Sequence, residues 1–290
     1  MQLIGSSMRE IKQEPKKEKR KKSGIVYNIL IAVCFLVIVY SGGRILLTLK
    51  DYHDSEQVYQ NARGAVTVAD SSKGQAKEWY QQVMVDFPEL LKQNDTVKAW
   101  IYMENNDHVN YPVLYKENDD NYWLRKSMDG KYAIAGSIFL EGKNRPNFED
   151  YHSLVYGHQM NNKTMFGSLS DYKDDPNYYQ DHQYFQIIRG DVVYRYQVFA
   201  WSDQNEDSDV YAVFKDKGED YANHLKLLEK DAMTKTDVQV SADDKVVTLS
   251  TCSKTSDRFI VSGKRVAAYV YASGQLLDEA QANAYESQNP

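Results

Sequence analysis

The chain has little cysteine and little proline, 2 and 6 of its 290 residues. With so few cysteines, and a length sufficient to bury a sizeable core, a disulfide-stapled mini-protein is excluded. There is no Pro-rich linker, no internal repeat and no low-complexity tract, so the length points to one large domain or two small ones. No Gly-rich phosphate loop is present, and no His, Cys or Asp cluster has the spacing of zinc ligands. The acidic runs Glu117–Asp120 and Glu206–Asp209 lack the alternating ligand positions of a calcium loop and read as solvated surface. The sequence therefore implies no metal and no cofactor. Positive charge is scarce beyond residue 50. Residues 1–50 carry 10 Lys and Arg against 3 Asp and Glu, and the remainder carries 25 against 38, a net −13. A body that acidic is a poor nucleic-acid binder, because phosphate contacts need clustered cations. Aromatic residues are plentiful, and 23 Tyr, 9 Phe and 4 Trp are too many for pervasive disorder.

Charge is absent altogether from Ser23 to Gly43, a run of 21 residues. Its central stretch, Ile25 to Tyr40, reads IVYNILIAVCFLVIVY. A helix of that length crosses roughly 30 Å of hydrocarbon. Arg9, Lys12, Lys16, Lys17, Lys19, Arg20, Lys21 and Lys22 precede the run, and Asp51, Asp54 and Glu56 follow it. The basic side stays in the cytoplasm, so the body is expected outside. A cleaved signal peptide is the alternative. The run, continued by Ile45–Leu47, is longer than such a peptide needs and favours a retained anchor. The expected organisation is a basic cytoplasmic tail over 1–22, a single-pass transmembrane anchor over 23–49, a stalk or first helix over 50–74, a folded domain over 75–275 and a polar, fraying tail over 276–290.

Within the body, residues 72–93 read as helical. Trp79, Val83, Phe87, Leu90 and Leu91 recur near helical spacing, and Pro88 kinks or splits the helix. From Val97 the pattern changes to short apolar runs broken by turn residues. Val97–Tyr102, Val109–Tyr115, Ala133–Leu140, Leu154–Tyr156, Tyr184–Ile188, Val192–Trp201, Val246–Cys252 and Phe259–Tyr271 read as strands, the last interrupted at Gly263. Eight such strands predict a mainly β fold, a barrel or a sandwich. One helix is inserted in the series: Glu219–Met233 puts Tyr221, Leu225, Leu228 and Met233 on one face.

Cys252 ends the strand VVTLSTC. If the apolar run near the N-terminus spans a membrane, Cys252 is the only thiol of the body and has no intramolecular partner. Such a cysteine is either a buried small hydrophobe or a nucleophile, and an idle exposed thiol is a liability in oxidising surroundings. A nucleophile needs a base or a cation to favour its thiolate. His53, His108, His152, His182 and His224 sit in plain polar settings, with His224 on the inserted helix facing solvent or a local contact. His158 differs. It ends the strand-like LVYGH directly after Gly157, a residue that permits an unusual backbone angle or a close approach. A developing oxyanion needs a third group. Arg258 opens the strand RFIVSGKRV, and if the two strands pair as a hairpin it faces Cys252 across the mouth. Lys254 and Lys264 compete as cations but lack the planar fork of arginine. Ser250 and Thr251, just before Cys252, and Asn110, before Tyr111-Pro112-Val113, are weaker candidates for a substrate groove, and for each the structural reading is the stronger.

TLSTC followed by RFIVSGK, with His158, Cys252 and Arg258 in that order, resembles the active-site signature of sortases. AGSIFLE (Ala135–Glu141) and NFEDYHSLVYGHQMNNKTMFGSL (Asn147–Leu169) resemble class B sortases in particular. The 94 residues from His158 to Cys252 suit that class, which carries an extra helix in this interval, where Glu219–Met233 falls. The resemblance covers residues 75–272. It implies a closed sortase-type β-barrel of about eight strands, with N-terminal helices and an inserted helix before the nucleophile strand. It also implies a membrane-anchored cysteine transpeptidase of Gram-positive cell surfaces, with 75–275 as its catalytic domain. Cys252 would attack a backbone carbonyl in the C-terminal sorting motif of an exported surface or pilin protein. His158 would act as acid and base, and Arg258 would hold the substrate and stabilise the oxyanion. An amine from a peptidoglycan cross-bridge or a pilin lysine would resolve the thioester. One departure is that the connection from Cys252 to Arg258 is several residues shorter than in well-known class B members, so the loop bordering the acceptor side is short. Two rivals remain. Papain-like peptidases place Cys before His, the opposite of the order here. A membrane-anchored β-barrel that only binds would use Cys252 as a packing residue.

Overall fold

The computed structural model of the chain describes residues 19–68, 78–119, 121–252 and 257–288. It divides into two units, Met1–Lys50 and Asp51–Pro290. Helix α1 (Lys19–Arg63) contributes to both. In the first unit its apolar side chains are exposed, among them Ile25 and Leu36 at 61% and 65%. The helix is long and apolar enough to cross a membrane, and is compatible with an anchor or a signal sequence. Of the basic run before it, Arg9 to Lys17 lies outside the described residues.

The second unit is a barrel with short elements around it. Strands β1 (Val66–Val68) and β2 (Val83–Val85) pair as a separate ribbon, and α2 (Phe87–Gln93) follows. The barrel strands are β3 (Val97–Met103), β4 (Asn110–Tyr115), β5 (Ile138–Leu140), β6 (His152–His158), β7 (Tyr184–Arg189), β8 (Val192–Asn205), β9 (Val246–Cys252) and β10 (Asp257–Val270). They run in the order β10–β8–β7–β3–β4–β5–β6–β9, and pairing of β9 with β10 closes the ring at eight strands. β11 (Gln275–Leu277) extends the far end of β10. The β4–β5 and β6–β9 pairs are parallel and the rest antiparallel. Two one-turn helices, α3 (Asp171–Asp174) and α4 (Tyr178–Asp181), follow β6. Helix α5 (Glu219–Lys230) lies in the β8–β9 connection, and α6 (Glu279–Gln288) closes the described chain.

Burial explains why the strands near the seam read as continuous rather than alternating. All but the last residue of β6 is buried, because both of its faces are covered. One face belongs to the main core, with Trp100, Ile101, Val113, Ile138, Val155, Phe185 and Leu249. On the other face His152 meets His224 of α5, and the same helix covers the neighbouring strands from outside the barrel in a second cluster. There Tyr221, Leu225 and Leu228 of α5 meet Phe199, Val210, Val246 and Ile260, the stripe that a helix presents at intervals of four and three residues.

Several elements differ from the sequence-based expectation. Residues 72–77 of the expected helix lie outside the described residues. Val83–Val85 is a strand, because β1 offers it an open edge. Pro88 sits in the first turn of α2, where an N–H has no acceptor in any case, so it starts a helix instead of kinking one. Of Ala133–Leu140 only Ile138–Leu140 is strand. β10 continues through Gly263 with register shifts at Ser262/Gly263 and Arg265/Ala267. α5 stops at Lys230, and the Met233 N–H donates to the Trp201 carbonyl of β8 at 2.9 Å. Residues 51–63 are the end of α1 and are bound to the barrel: Tyr59 Oη donates to the Gly136 carbonyl at 2.6 Å, and Asp51 accepts from the Ile134 N–H at 2.8 Å. Residues 279–288 of the C-terminal segment form α6, packed on β10. Arg265, fully buried in β10, donates to Glu279 at 2.7 Å, to Glu286 at 2.6 Å and to Asn283 at 2.6 Å, and Lys245 donates to Glu286 at 2.6 Å. A buried guanidinium needs those carboxylates, so they hold α6 in place.

Candidate active site

Four strands lie side by side in the order β6, β9, β10, β8. In their register His158 pairs with Cys252. β9 and β10 pair from Lys264↔Val246 to Ile260↔Ser250. Arg258, two residues before Ile260 on β10, is the partner of Gln204 on β8. The backbone thus pairs His158 with Cys252 and Arg258 with Gln204, two pairs that form the end rung of four adjacent strands. Core packing fixes that rung, since a one-residue slip of β9 would turn the buried Val247 and Leu249 to the other face. Residues 253–256, Lys254 among them, lie outside the described residues. Lys264 is engaged elsewhere, 3.2 Å from Asp244.

His158 is placed by two glycines. A Cβ on Gly157 would collide with Ile138 and with the ring of Phe166 at 2.8 Å, so only glycine lets β6 pack this closely just before the histidine. A Cβ on Gly136, at φ +58°, would collide with the Leu124 carbonyl. That carbonyl accepts a hydrogen bond from His158 Nε2 at 2.7 Å. A carbonyl can only accept, so in the neutral ring Nε2 carries the hydrogen and Nδ1 is the nitrogen that can take up a proton.

Arg258 is partly exposed, its side chain at 28%. Nη2 lies 3.7 Å from Glu206 Oε2. The guanidinium also lies over two rings, 5.9 Å from the centroid of Tyr156 and 5.6 Å from that of Tyr211. Beneath the rung come Tyr156, Ser250, Ile260 and Ser202 in register. Ser250 is buried, and its Oγ has no hydrogen-bond partner among the described residues. Thr251 is also buried, and its Oγ1 accepts from the Phe259 N–H at 2.9 Å. Asn110 lies on β4, two strands from β6, where its Oδ1 accepts from Trp100 Nε1 at 2.6 Å and its carbonyl from Arg63 Nε at 3.2 Å. The structure therefore gathers His158, Arg258, Ser250 and the backbone of Cys252, and leaves Asn110 outside the group.

Two histidines are not where the sequence suggested. His152 and His224 are both buried, with ring centroids 4.4 Å apart. His152 Nδ1 donates to the Ala212 carbonyl at 2.6 Å, so Nε2 accepts from Thr248 Oγ1 at 2.9 Å, and Thr248 in turn meets Ser262 Oγ at 2.8 Å. Burial, and for His152 also the neighbouring His224, pushes these imidazoles down to about 3 and about 4. Among the described residues no group of three or more His, Cys, Asp or Glu is placed to hold a metal. Sequence reasoning missed Tyr156, Tyr211, Glu206 and the Leu124 carbonyl. Tyr156 carried a signal, because two residues before His158 on a strand is the same face. Glu206 is exposed, as its acidic run implies, and also lies 3.7 Å from Arg258.

A family model described as Sortase domain matches residues 101–266. Sortase B of Listeria monocytogenes is 26% identical over 241 residues, which is 82% of this chain and 95% of that protein. Sortase B of Staphylococcus aureus is 29% identical over 63% of this chain and 76% of that protein. Among solved structures, sortase B from B. anthracis in complex with AAEK1 superposes with a TM-score of 0.62 at 25% identity, covering 75% of this chain and 99% of the other. A Staphylococcus aureus sortase B–substrate complex superposes with a TM-score of 0.58 at 26% identity, covering 74% and 94%.

Proposed function

The chain belongs to the sortase family, and from that premise we propose how it acts as a class B cysteine transpeptidase. The substrate is an exported protein with a C-terminal sorting motif. The Cys252 thiolate attacks the carbonyl carbon of one peptide bond in that motif. The new C–S bond forms as the C–N bond breaks, and the proton that the departing amine needs comes from His158. Arg258 donates hydrogen bonds to the tetrahedral oxyanion. An acceptor amine then attacks the thioester, His158 takes its proton, and the thiolate leaves. The acceptor is a peptidoglycan cross-bridge amine or a pilin lysine. Ser250 lines the groove beneath the rung, with Thr251 in a supporting position.

One observation carries this reading: the parallel register that pairs His158 with Cys252, one strand from Arg258. The tautomer favoured by the Leu124 carbonyl supports a base role for Nδ1 of His158. The solved relative with bound substrate supports a peptide groove on the same fold. The basic tail over 1–22 is cytoplasmic, the apolar part of α1 over 23–49 is a single-pass anchor, and the catalytic domain over 75–275 is extracellular, in keeping with the charge on either side of the run.

The test uses the full chain in detergent and a Cys252→Ala control. Each is incubated with a panel of sorting-motif peptides and an amine, and products are read by mass spectrometry. Joined product, or a thioester adduct on Cys252 that is lost in the variant, is the expected result. Cleavage without amine incorporation would favour a peptidase, and an inert thiol with every peptide would favour a binding barrel.

A further inference from the structure

We propose that Tyr211, acting with Tyr156, is a positioning residue for Arg258, so that the start of the β8–β9 connection holds the cation ready for the oxyanion. The proposal rests on the reading that Arg258 serves the tetrahedral intermediate.

Arginine is a long side chain, and a donor aimed at a developing charge is useful only if it is held beforehand. The backbone of Arg258 is paired on one edge, to Gln204 of β8, and that pairing does not fix where its guanidinium lies. The described β9–β10 pairs begin at Ser250↔Ile260, two residues beyond it. Among the described residues its one ion-pair contact is long, 3.7 Å, to a Glu206 side chain that is 53% exposed. Such a surface pair is screened by solvent and is worth little. The two aromatic rings remain. At 5.6 and 5.9 Å from the guanidinium carbon, both are within the reach of a cation–π contact. A guanidinium stacks on such rings better than an ammonium does.

Both rings are themselves fixed. Tyr156 is buried on β6, and its hydroxyl donates to Glu141 at 3.1 Å. Tyr211 ends the 3₁₀ turn Asp209–Tyr211. That turn is plugged by Val210, fully buried against α5. It is also tied back to the rung: Ser208 accepts from the Val210 N–H at 3.4 Å and donates to Gln204 Oε1 at 2.8 Å, and Gln204 is the register partner of Arg258. The turn therefore cannot drift without breaking contacts to the strand beside Arg258.

The test measures kcat and KM for peptide transfer by the full chain in detergent, for Tyr211→Leu, Tyr211→Phe and Glu206→Gln, and for Tyr211→Leu again in an Arg258→Lys background. Tyr211→Leu is expected to lower kcat about tenfold with KM within about twofold, the pattern of a contact that matters in the transition state. Tyr211→Phe, which keeps the ring, recovers at least about half of the activity, and Glu206→Gln stays within about twofold. With Arg258→Lys the same leucine change costs less than about twofold, because the stacked fork is already gone. An equal loss in both backgrounds would mean a merely structural role and overturn the proposal. So would an unchanged kcat in Tyr211→Leu while Arg258→Lys is strongly impaired. Wild-type rates in Arg258→Ala would instead remove the catalytic role of Arg258, and the proposal with it. If Tyr211→Leu loses its thermal transition, Ser208→Ala replaces it. That variant cuts the tie and leaves the ring, and a kcat loss confined to the Arg258 background is again the expected result.

Discussion

His152 and His224 are charged in the unfolded chain at mildly acid pH and neutral in the fold. Both are held below the usual value near 6.5, at about 3 and about 4, chiefly by burial. The groups facing them add little positive charge tolerance. His152 meets the Ala212 carbonyl, Thr248 and His224, and His224 is near Asp209, which opposes its shift only in part. A histidine with a lowered folded value binds its proton more readily when unfolded. Its stabilising effect is therefore complete above pH 6.5 and is lost as pH falls toward the folded values. Each such group removes about 1.4 kcal/mol per pH unit within that window. The urea midpoint is expected to fall between pH 7 and pH 5, and less steeply in His224→Leu; equal slopes in the two proteins would contradict the assignment. Gly157→Ala is a second test at this scale. Its methyl meets Ile138 and Phe166, so the variant should lose about 1–3 kcal/mol and most of its transferase activity, read by denaturation and by product formation. The proposed site residues stand out in the sequence because Gly157-His158 and Thr251-Cys252 end strands, and a strand end is visible as a change of pattern. The partners of Arg258 were not, because Tyr211 reaches it from a turn whose approach to β10 no local spacing encodes.

Helix α5 is the element that turns an ordinary barrel strand into a doubly covered one. Tyr221, Leu225 and Leu228 are buried against β8, β9 and β10. Leu225→Ala should cost about 2–5 kcal/mol, measured by thermal or urea unfolding. It should also loosen the Val210 plug beside Tyr211, and so lower kcat more than a surface change on the same helix such as Lys226→Gln. Helix α6 is held differently, by charge. Glu286 bridges Arg265 and Lys245, each at 2.6 Å, with Arg265 and Glu286 side chains only 0% and 4% exposed. Glu286→Gln leaves two buried cations short of a carboxylate and should cost about 3 kcal/mol or more; a change under about 0.5 kcal/mol would show the cluster to be idle. Elements with strong local signatures, such as the stripe of α5 and the apolar run of β9, were readable in the sequence. Val83–Val85 was not, because its spacing fits a helix and only the edge of β1 makes it a strand. The last segment looked like a tail because its composition is polar, and its carboxylates acquire meaning only beside a buried arginine in another strand.

The whole second unit depends on one seam. β9 is bonded to β6 on one edge and to β10 on the other, so closing the ring and assembling the rung are the same event. The β6–β9 pairing joins residues 94 apart in sequence, a non-local contact of the kind that slows folding. In refolding from urea, recovery of transferase activity is expected to follow the slowest phase and to lag the far-ultraviolet signal of the helices; activity that returned with the fastest phase would argue against closure at the seam. The clamp of α6 on Arg265 has a consequence in time as well as in space. A chain is synthesised from its N-terminus, and the carboxylates that neutralise β10, Glu279 and Glu286, follow it in sequence on α6. While the chain is being made, β10 is therefore complete before the carboxylates that balance its buried arginine exist. The order of synthesis thus leaves Arg265 without its carboxylates until α6 has followed it.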